Sequence, residues 1–272
     1  LLVMSATPIP RTLSLALYGD MDQSRLTEKP IGRKEIITKS LSIDKEDKLI
    51  ERLIKKLKSK EKAYWVCPLI EESEEIDLKA AKERYQILRE KIEGEVLLLH
   101  GRMKEEEKFE IMEKFKYEDY KVLVTTTVIE VGIDIPNATT LIIEHAERYG
   151  LAQLHQLRGR IGRSNLQSTC ILLFKKNLSN NAMERIKKMK ETNDGFEIAE
   201  KDLEIRGAGE ILGKKQSGIP SFSIADLGFD SDLLEVIRQK VDEISKIDPK
   251  LESKNGLRLR NLLYLYEKDI AI

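Results

Sequence analysis

The chain has 272 residues, of which 41% are hydrophobic and 35% charged, a length that suits about two domains and a balance that excludes an intrinsically disordered chain. No apolar run approaches the roughly 18 to 20 residues of a bilayer-spanning helix, which excludes a transmembrane segment. Lys plus Arg and Asp plus Glu each total 47, so a surface that grips nucleic acid all round is excluded and any such contact must be local.

The opening LLVMSATP has no initiator Met and no targeting pattern. An apolar run flowing straight into Ser5-Ala6-Thr7-Pro8 reads as the end of a strand that began earlier, so the chain is expected to be the C-terminal part of a longer protein. The hydroxyls of Ser5 and Thr7 suit the cap of the helix that IPRTLSLALYG would form. Residues 20–45, with Pro30 and Gly32, read as a connector and an entering strand. Residues 46–62 then place Leu49, Ile50, Leu53, Ile54 and Leu57 on one helical face.

From there strands and helices alternate. AYWVCPLI at 63–70 reads as a buried strand, followed by a helix at 77–93 and a strand at 95–100. A helix at 104–116 and strands at 121–127 and 139–146 come next, and a helix at 151–162 and a strand at 168–176 close the unit. Such alternation implies right-handed crossovers and a parallel sheet with helices on both faces, an α/β fold. Residues 180–193 read as a helix. Gly-containing clusters at Asp194-Gly195-Phe196, Arg206-Gly207-Ala208-Gly209 and Gln216-Ser217-Gly218 then suggest a partly irregular appendage. Amphipathic helices return at 230–246 and 257–268. Cys67 and Cys170 sit far apart inside apolar runs, which argues for buried thiols and against a disulfide framework or a zinc site.

The stretch most suited to chemistry is Gln156-Leu157-Arg158-Gly159-Arg160-Ile161-Gly162-Arg163. Arg160 and Arg163, three apart on the expected helix, can converge on one spot, and two guanidinium forks suit a polyphosphate. Gly159 and Gly162 each weaken a helix by roughly 1 kcal/mol relative to Ala, which makes sense where something approaches the backbone closely. A solvated basic helix is the plain alternative. Upstream, Thr125-Thr126-Thr127-Val128-Ile129-Glu130-Val131-Gly132-Ile133-Asp134 follows a buried strand. Open parallel sheets bind ligands beyond the carboxyl ends of their strands. There Thr127, Glu130, Gly132 and Asp134 could touch a ribose, a phosphate or a nucleic-acid backbone, although such residues are also common as plain structure. His100, His145 and His155 are scattered and make no ligand cluster. A G-x-x-x-x-G-K-[ST] phosphate loop and an acidic D-E-x-H box are both absent from the sequence.

Taken together, SATPIPRTL, HGRM, TTTVIEVGIDIPNA and QLRGRIGR resemble, in order and spacing, the later motifs of superfamily-two helicases. CPLIEESE, AERYGLAQLHQLRGRIGR, DGFEIAEKDLEIRGAGEILGKKQSG and PSFSIADL narrow the resemblance to RecG, the family of bacterial branched-DNA translocases, with Ala208 where that family often has proline. The transcription-repair coupling factor shares SATPIPRTL and the Arg pair and ranks second. A non-catalytic binding lobe is the third reading.

The resemblance implies that residues 1–32 are the tail of a first RecA-like lobe and a linker. Residues 33–178 would form the second RecA-like lobe, and 179–272 the translocation-motif region with C-terminal helices. It implies ATP with Mg²⁺, held mainly by a preceding lobe, and branched double-stranded DNA such as forks and Holliday junctions as partner, engaged with the N-terminal wedge of the same chain. Arg160 and Arg163 would be arginine fingers on the γ-phosphate and Gln156 would position nucleotide or water, with Gly132, Asp134 and Gly159 at the nucleotide. Ser5, Thr7, Thr127, Glu130, Arg206 and Gln216 would couple the motor to DNA. A cytoplasmic, nucleoid-associated location and an isolated chain without activity are implied by the same resemblance.

Overall fold

The computed structural model describes residues 4, 24, 26, 32–57, 60–68, 74–92, 95–126, 134–206 and 231–270. Strands β1 (Ile37–Ser42), β2 (Lys62–Val66), β3 (Val96–Leu99), β4 (Val122–Thr125), β5 (Ala138–Ile143) and β6 (Thr169–Phe174) form one sheet in the order β1-β6-β5-β2-β4-β3. Every pairing is parallel. Helices α1 (Glu46–Leu57), α2 (Glu74–Lys91), α3 (Glu105–Tyr117) and α4 (Leu151–Arg158) run between strands, and α5 (Asn180–Glu191) and α6 (Gly195–Arg206) come after β6.

Side-chain alternation along each strand divides the core into two layers. Ala63 and Trp65 of β2 join Val122 and Val124 of β4 and Ile142 of β5 against Leu49, Ile50, Leu53 and Leu57 of α1 and Ala81 and Leu88 of α2. Tyr64 and Val66 face the other way with Leu123, Leu141 and Ile143, against Phe115 of α3, Leu154 and Leu157 of α4, and Ile186 and Met189 of α5. Both faces are covered, which is why these strands read as continuous apolar runs. The fold is thus the doubly wound α/β arrangement expected.

Boundaries differ where non-local bonds decide them. The first helix stops at Leu57, short of residue 62, because Lys62 begins β2. Its ammonium donates to the carbonyls of Phe115 and Glu118 at the end of α3, the latter at 2.6 Å. The helix expected over 151–162 stops at Arg158 with Gly159 as its C-cap, and Gly162, at φ 76°, turns the chain three residues further on. Asp194-Gly195-Phe196, expected as part of an irregular appendage, opens α6 instead: the Asp194 carboxylate accepts the Phe196 amide at 2.7 Å, an N-cap. Ile186, Met189 and Ile198 bury themselves in the sheet's core. The compact unit built on the sheet accordingly runs to Ile205, beyond the boundary at 178 read from the sequence.

A second unit holds α7 (Ser231–Ile247) and α8 (Lys254–Ile270). Between these helices the Asp248 carboxylate accepts the amides of Glu252 and Ser253 at 2.8 and 3.0 Å, bonds that hold its carboxyl below the usual range. A Cβ on Gly256 would lie 2.2 Å from Asp248 Oδ2, so the close packing of this turn requires glycine there.

Candidate functional site

A parallel crossover must return the chain to the amino edge of the sheet before the next strand starts. Helix α4 does this between β5 and β6. At its end the amides of Gly159 and Arg160 bond the carbonyls of His155 and Leu157 at 3.0 Å each, and Ile161 bonds Arg158 at 3.3 Å. The last turn tightens and the chain leaves the helix axis. Arg160 and Arg163 therefore project from a turn and are not stacked one helical turn apart. This corrects the expected helical stacking of the two residues. Both guanidinium groups and the Asp134 carboxylate act on the buried hydroxyl of Tyr64. Burial pushes that phenol far above its ordinary value, while Arg163 and Arg160 pull it down and Asp134 pushes it up.

Arg163 Nη1 donates to Asp134 Oδ1 at 3.2 Å. Its side chain keeps 28% of its surface exposed and Asp134 keeps 55%, so the pair is held weakly. Arg160 is half-buried, with no ion pair or hydrogen bond from its guanidinium to the described residues. Two permanent charges on one turn, one of them without a protein partner among the described residues, fit an anionic ligand. Asp134 precedes β5, so it belongs to the amino edge and not, as expected, to the region beyond the carboxyl ends. Gln156 is exposed on α4, and Gly159 lies in the turn, where a Cβ would meet the carbonyl of Gln156 at 3.3 Å. Ser5, Thr7, Thr127, Glu130, Gly132 and Gln216 lie outside the described residues, and Arg206 is the last residue of α6.

Sequence reasoning missed the role of Arg158, the arginine between Gln156 and Arg160. It is 2% exposed. Its Nη1 donates to the carbonyls of Met189 and Thr192 at 2.7 and 3.0 Å and to Thr38 Oγ1 at 3.2 Å, and its Nη2 donates to His155 Nδ1 at 3.3 Å. Burial pushes its pKa down. The first arginine of the run was visible in the sequence, but nothing local marked it as the buried one. Behind the turn lies a cleft of about 830 Å³ whose walls include Arg33, Ile36, His155, Gly159, Gly162 and Asn193.

The carboxyl edge carries other polar groups. His100 Nδ1 and Thr126 Oγ1 are buried after β3 and β4 without a hydrogen-bond partner among the described residues, and burial, with Lys82 and Arg102 nearby, pushes the His100 pKa down. His145 adopts the left-handed backbone at φ 50° and its Nδ1 lies 3.1 Å from Glu147. Beyond the ends of β2 and β5, Glu144 accepts Trp65 Nε1 at 2.6 Å and pairs with Arg84, which also binds Glu46 through both terminal nitrogens. Cys67 and Cys170 are buried free thiols, as expected. Among the described residues no three His, Cys, Asp or Glu side chains are grouped to share a metal ion, and no helix is long and apolar enough to cross a membrane.

Residues 44–165 match the family model described as "Helicase conserved C-terminal domain". Residues 192–270 match the model "ATP-dependent DNA helicase RecG, domain 3, C-terminal". The chain is 48% identical over 263 residues to the ATP-dependent DNA helicase RecG of Aquifex aeolicus, covering 94% of this chain and 33% of that protein. To the RecG of Escherichia coli it is 45% identical over 251 residues, covering 92% of this chain and 36% of that protein. A solved structure of RecG bound to a three-way DNA junction superposes with a TM-score of 0.67 at 44% identity, covering 85% of this chain and 30% of that one. The chain thus spans about a third of the length of the relatives it matches.

Proposed function

The chain belongs to the RecG family and carries its RecA-like C-terminal helicase fold, and from that membership we propose that it supplies the second helicase lobe of an ATP-dependent translocase on branched double-stranded DNA. Its output would be the reversal of stalled forks and the migration of Holliday junctions. The observation that carries the reading is the turn after α4, where Arg160 and Arg163 present two permanent positive charges around Asp134 and Tyr64.

In phosphoryl transfer, charge spreads over the equatorial oxygens of the transferring group, and an arginine finger stabilises that charge. Arg160 meets the need directly, having no partner among the described residues. Arg163 meets it by exchanging an exposed carboxylate for a phosphate oxygen. Gln156, exposed on the same helix, would position nucleotide or water, with Gly159 and Asp134 lining the approach. Mg²⁺, when bound, neutralises the β- and γ-oxygens. Arg160 and Arg163 fit the γ-phosphate side of such a site, whereas the described residues offer no carboxylate cluster for the metal. The phosphate cradle would come from a preceding lobe, so residues 1–272 alone would hydrolyse no ATP. Residues 194–218, with Arg206 and Gln216, would pass lobe motion to the duplex. A cytoplasmic, nucleoid-associated location belongs to the same proposal.

The test is unwinding of a labelled three-way junction by a full-length RecG protein carrying this sequence. Strand separation that needs hydrolysable ATP and favours junctions over linear duplex is expected. ATP-independent binding alone would leave only the binding-lobe reading. The RecG names of the matched relatives favour fork remodelling over transcription-repair coupling.

A further inference from the structure

Arg158 is a buried cation that meets no carboxylate among the described residues. Its acceptors are two carbonyls, one hydroxyl and one imidazole nitrogen. Burying a charge without a counter-ion is costly, and it persists where the geometry it enforces is needed. The Met189 carbonyl belongs to the last turn of α5 and that of Thr192 comes directly after it, so the guanidinium sits on the negative end of a helix dipole. Thr38 adds an anchor on β1, at the far edge of the sheet. One side chain thus ties the end of α4 to a strand and to a second helix, from 31 to 120 residues away in sequence.

The turn that bears Arg160 and Arg163 begins directly after Arg158. Behind that turn is the 830 Å³ cleft, and beside it Ile161 of the turn is buried in the core. Its described supports are the Arg158 bonds at its start, Ile161 buried in the core, Gly162 closing against the Ile36 side chain, and the exposed pair of Arg163 with Asp134. Of the two polar supports, Arg158 is the buried one.

We propose that Arg158 is a positioning residue for ATP hydrolysis: through its buried bonds to Thr38, Met189 and Thr192 it fixes the finger turn at the position from which Arg160 and Arg163 reach the γ-phosphate. It touches no substrate itself. Three of its acceptors meet at the single nitrogen Nη1 while Nη2 reaches His155, so a lysine, with one nitrogen on a shorter stem, cannot make both sets of bonds. The inference rests on the arginine-finger reading proposed above.

The test compares R158K, T38V and R160A in a full-length RecG protein carrying this sequence, with steady-state ATPase at saturating DNA, melting temperature and circular dichroism measured on each. A turn displaced by about 1 Å is expected to cost on the order of 10²-fold in rate. R158K should therefore lower kcat by about that factor with KM for ATP nearly unchanged. T38V, which removes one acceptor and keeps the charge and both carbonyl bonds, should lose several-fold in kcat at an unaltered fold, and it keeps the test decisive if R158K folds poorly. An unchanged kcat in both variants, or a loss that only tracks the folded fraction, overturns the positioning role while R160A remains inactive. Full ATPase activity in R160A overturns the finger reading itself.

Discussion

The guanidinium of Arg163 and the carboxylate of Asp134 meet at 3.2 Å across 29 residues of chain, joining the turn after α4 to the segment that enters β5. The pair is half open to solvent, so it contributes little to stability, about 0–1 kcal/mol. In a full-length RecG protein carrying this sequence, R160A or R163A should cut kcat for ATP hydrolysis by roughly 10³-fold or more, the scale of an arginine finger. The melting temperature should barely move. Activity lost only in proportion to lost folding would return the stretch to plain structure.

Gly162 tests the backbone of the same turn. At φ 76° an L-side chain is strained, and a Cβ would lie 3.0 Å from Cγ1 of Ile36. G162A should cost about 1–2 kcal/mol from the left-handed backbone, read from urea unfolding. It should also lower kcat, because Arg163 is the next residue. An alanine variant of unchanged stability would mean the turn relaxes without glycine.

Glu144 predicts a pH dependence. Burial pushes its carboxyl above the usual range, although Arg84 and the Trp65 indole pull it down. The folded state therefore binds more protons than the unfolded state between the unfolded value, about 4.3, and the raised folded value. Stability from this group is full below the unfolded value and declines as pH rises through the folded one. Gln cannot titrate and keeps an oxygen for Trp65. The stability of the native chain relative to E144Q should thus fall on going from pH 4 to 7.5 in urea unfolding, and a pH-independent difference would refute this.

Residues 194–218 give a separate outcome. Q216A or R206A should leave DNA-stimulated ATPase largely intact and abolish junction unwinding, because these residues would act on DNA or the moving segment and not on the γ-phosphate. Equal loss of both activities with a lowered melting temperature would make the segment scaffold.

The isolated chain supplies a control. Purified residues 1–272 should fold and show no DNA-stimulated ATPase, since fingers without a phosphate cradle cannot position the γ-phosphate. Turnover by that polypeptide would place a complete site within it.

Much of the architecture was legible in local pattern. The apolar stripe of α1, Leu49 to Leu57, and the continuous run around Trp65 are periodicities that a helix and a doubly covered strand impose on neighbouring residues. The paired arginines were likewise visible as a short motif. Three features came only from tertiary structure: the end of α4 at Arg158, the meeting of Arg163 with Asp134, and the burial of Arg158 while Arg160, two residues on, stays accessible. Sequence spacing reports which face of an element a residue occupies. It does not report which carbonyls end a helix 31 and 34 residues later, and those of Met189 and Thr192 separate the buried Arg158 from Arg160 and Arg163.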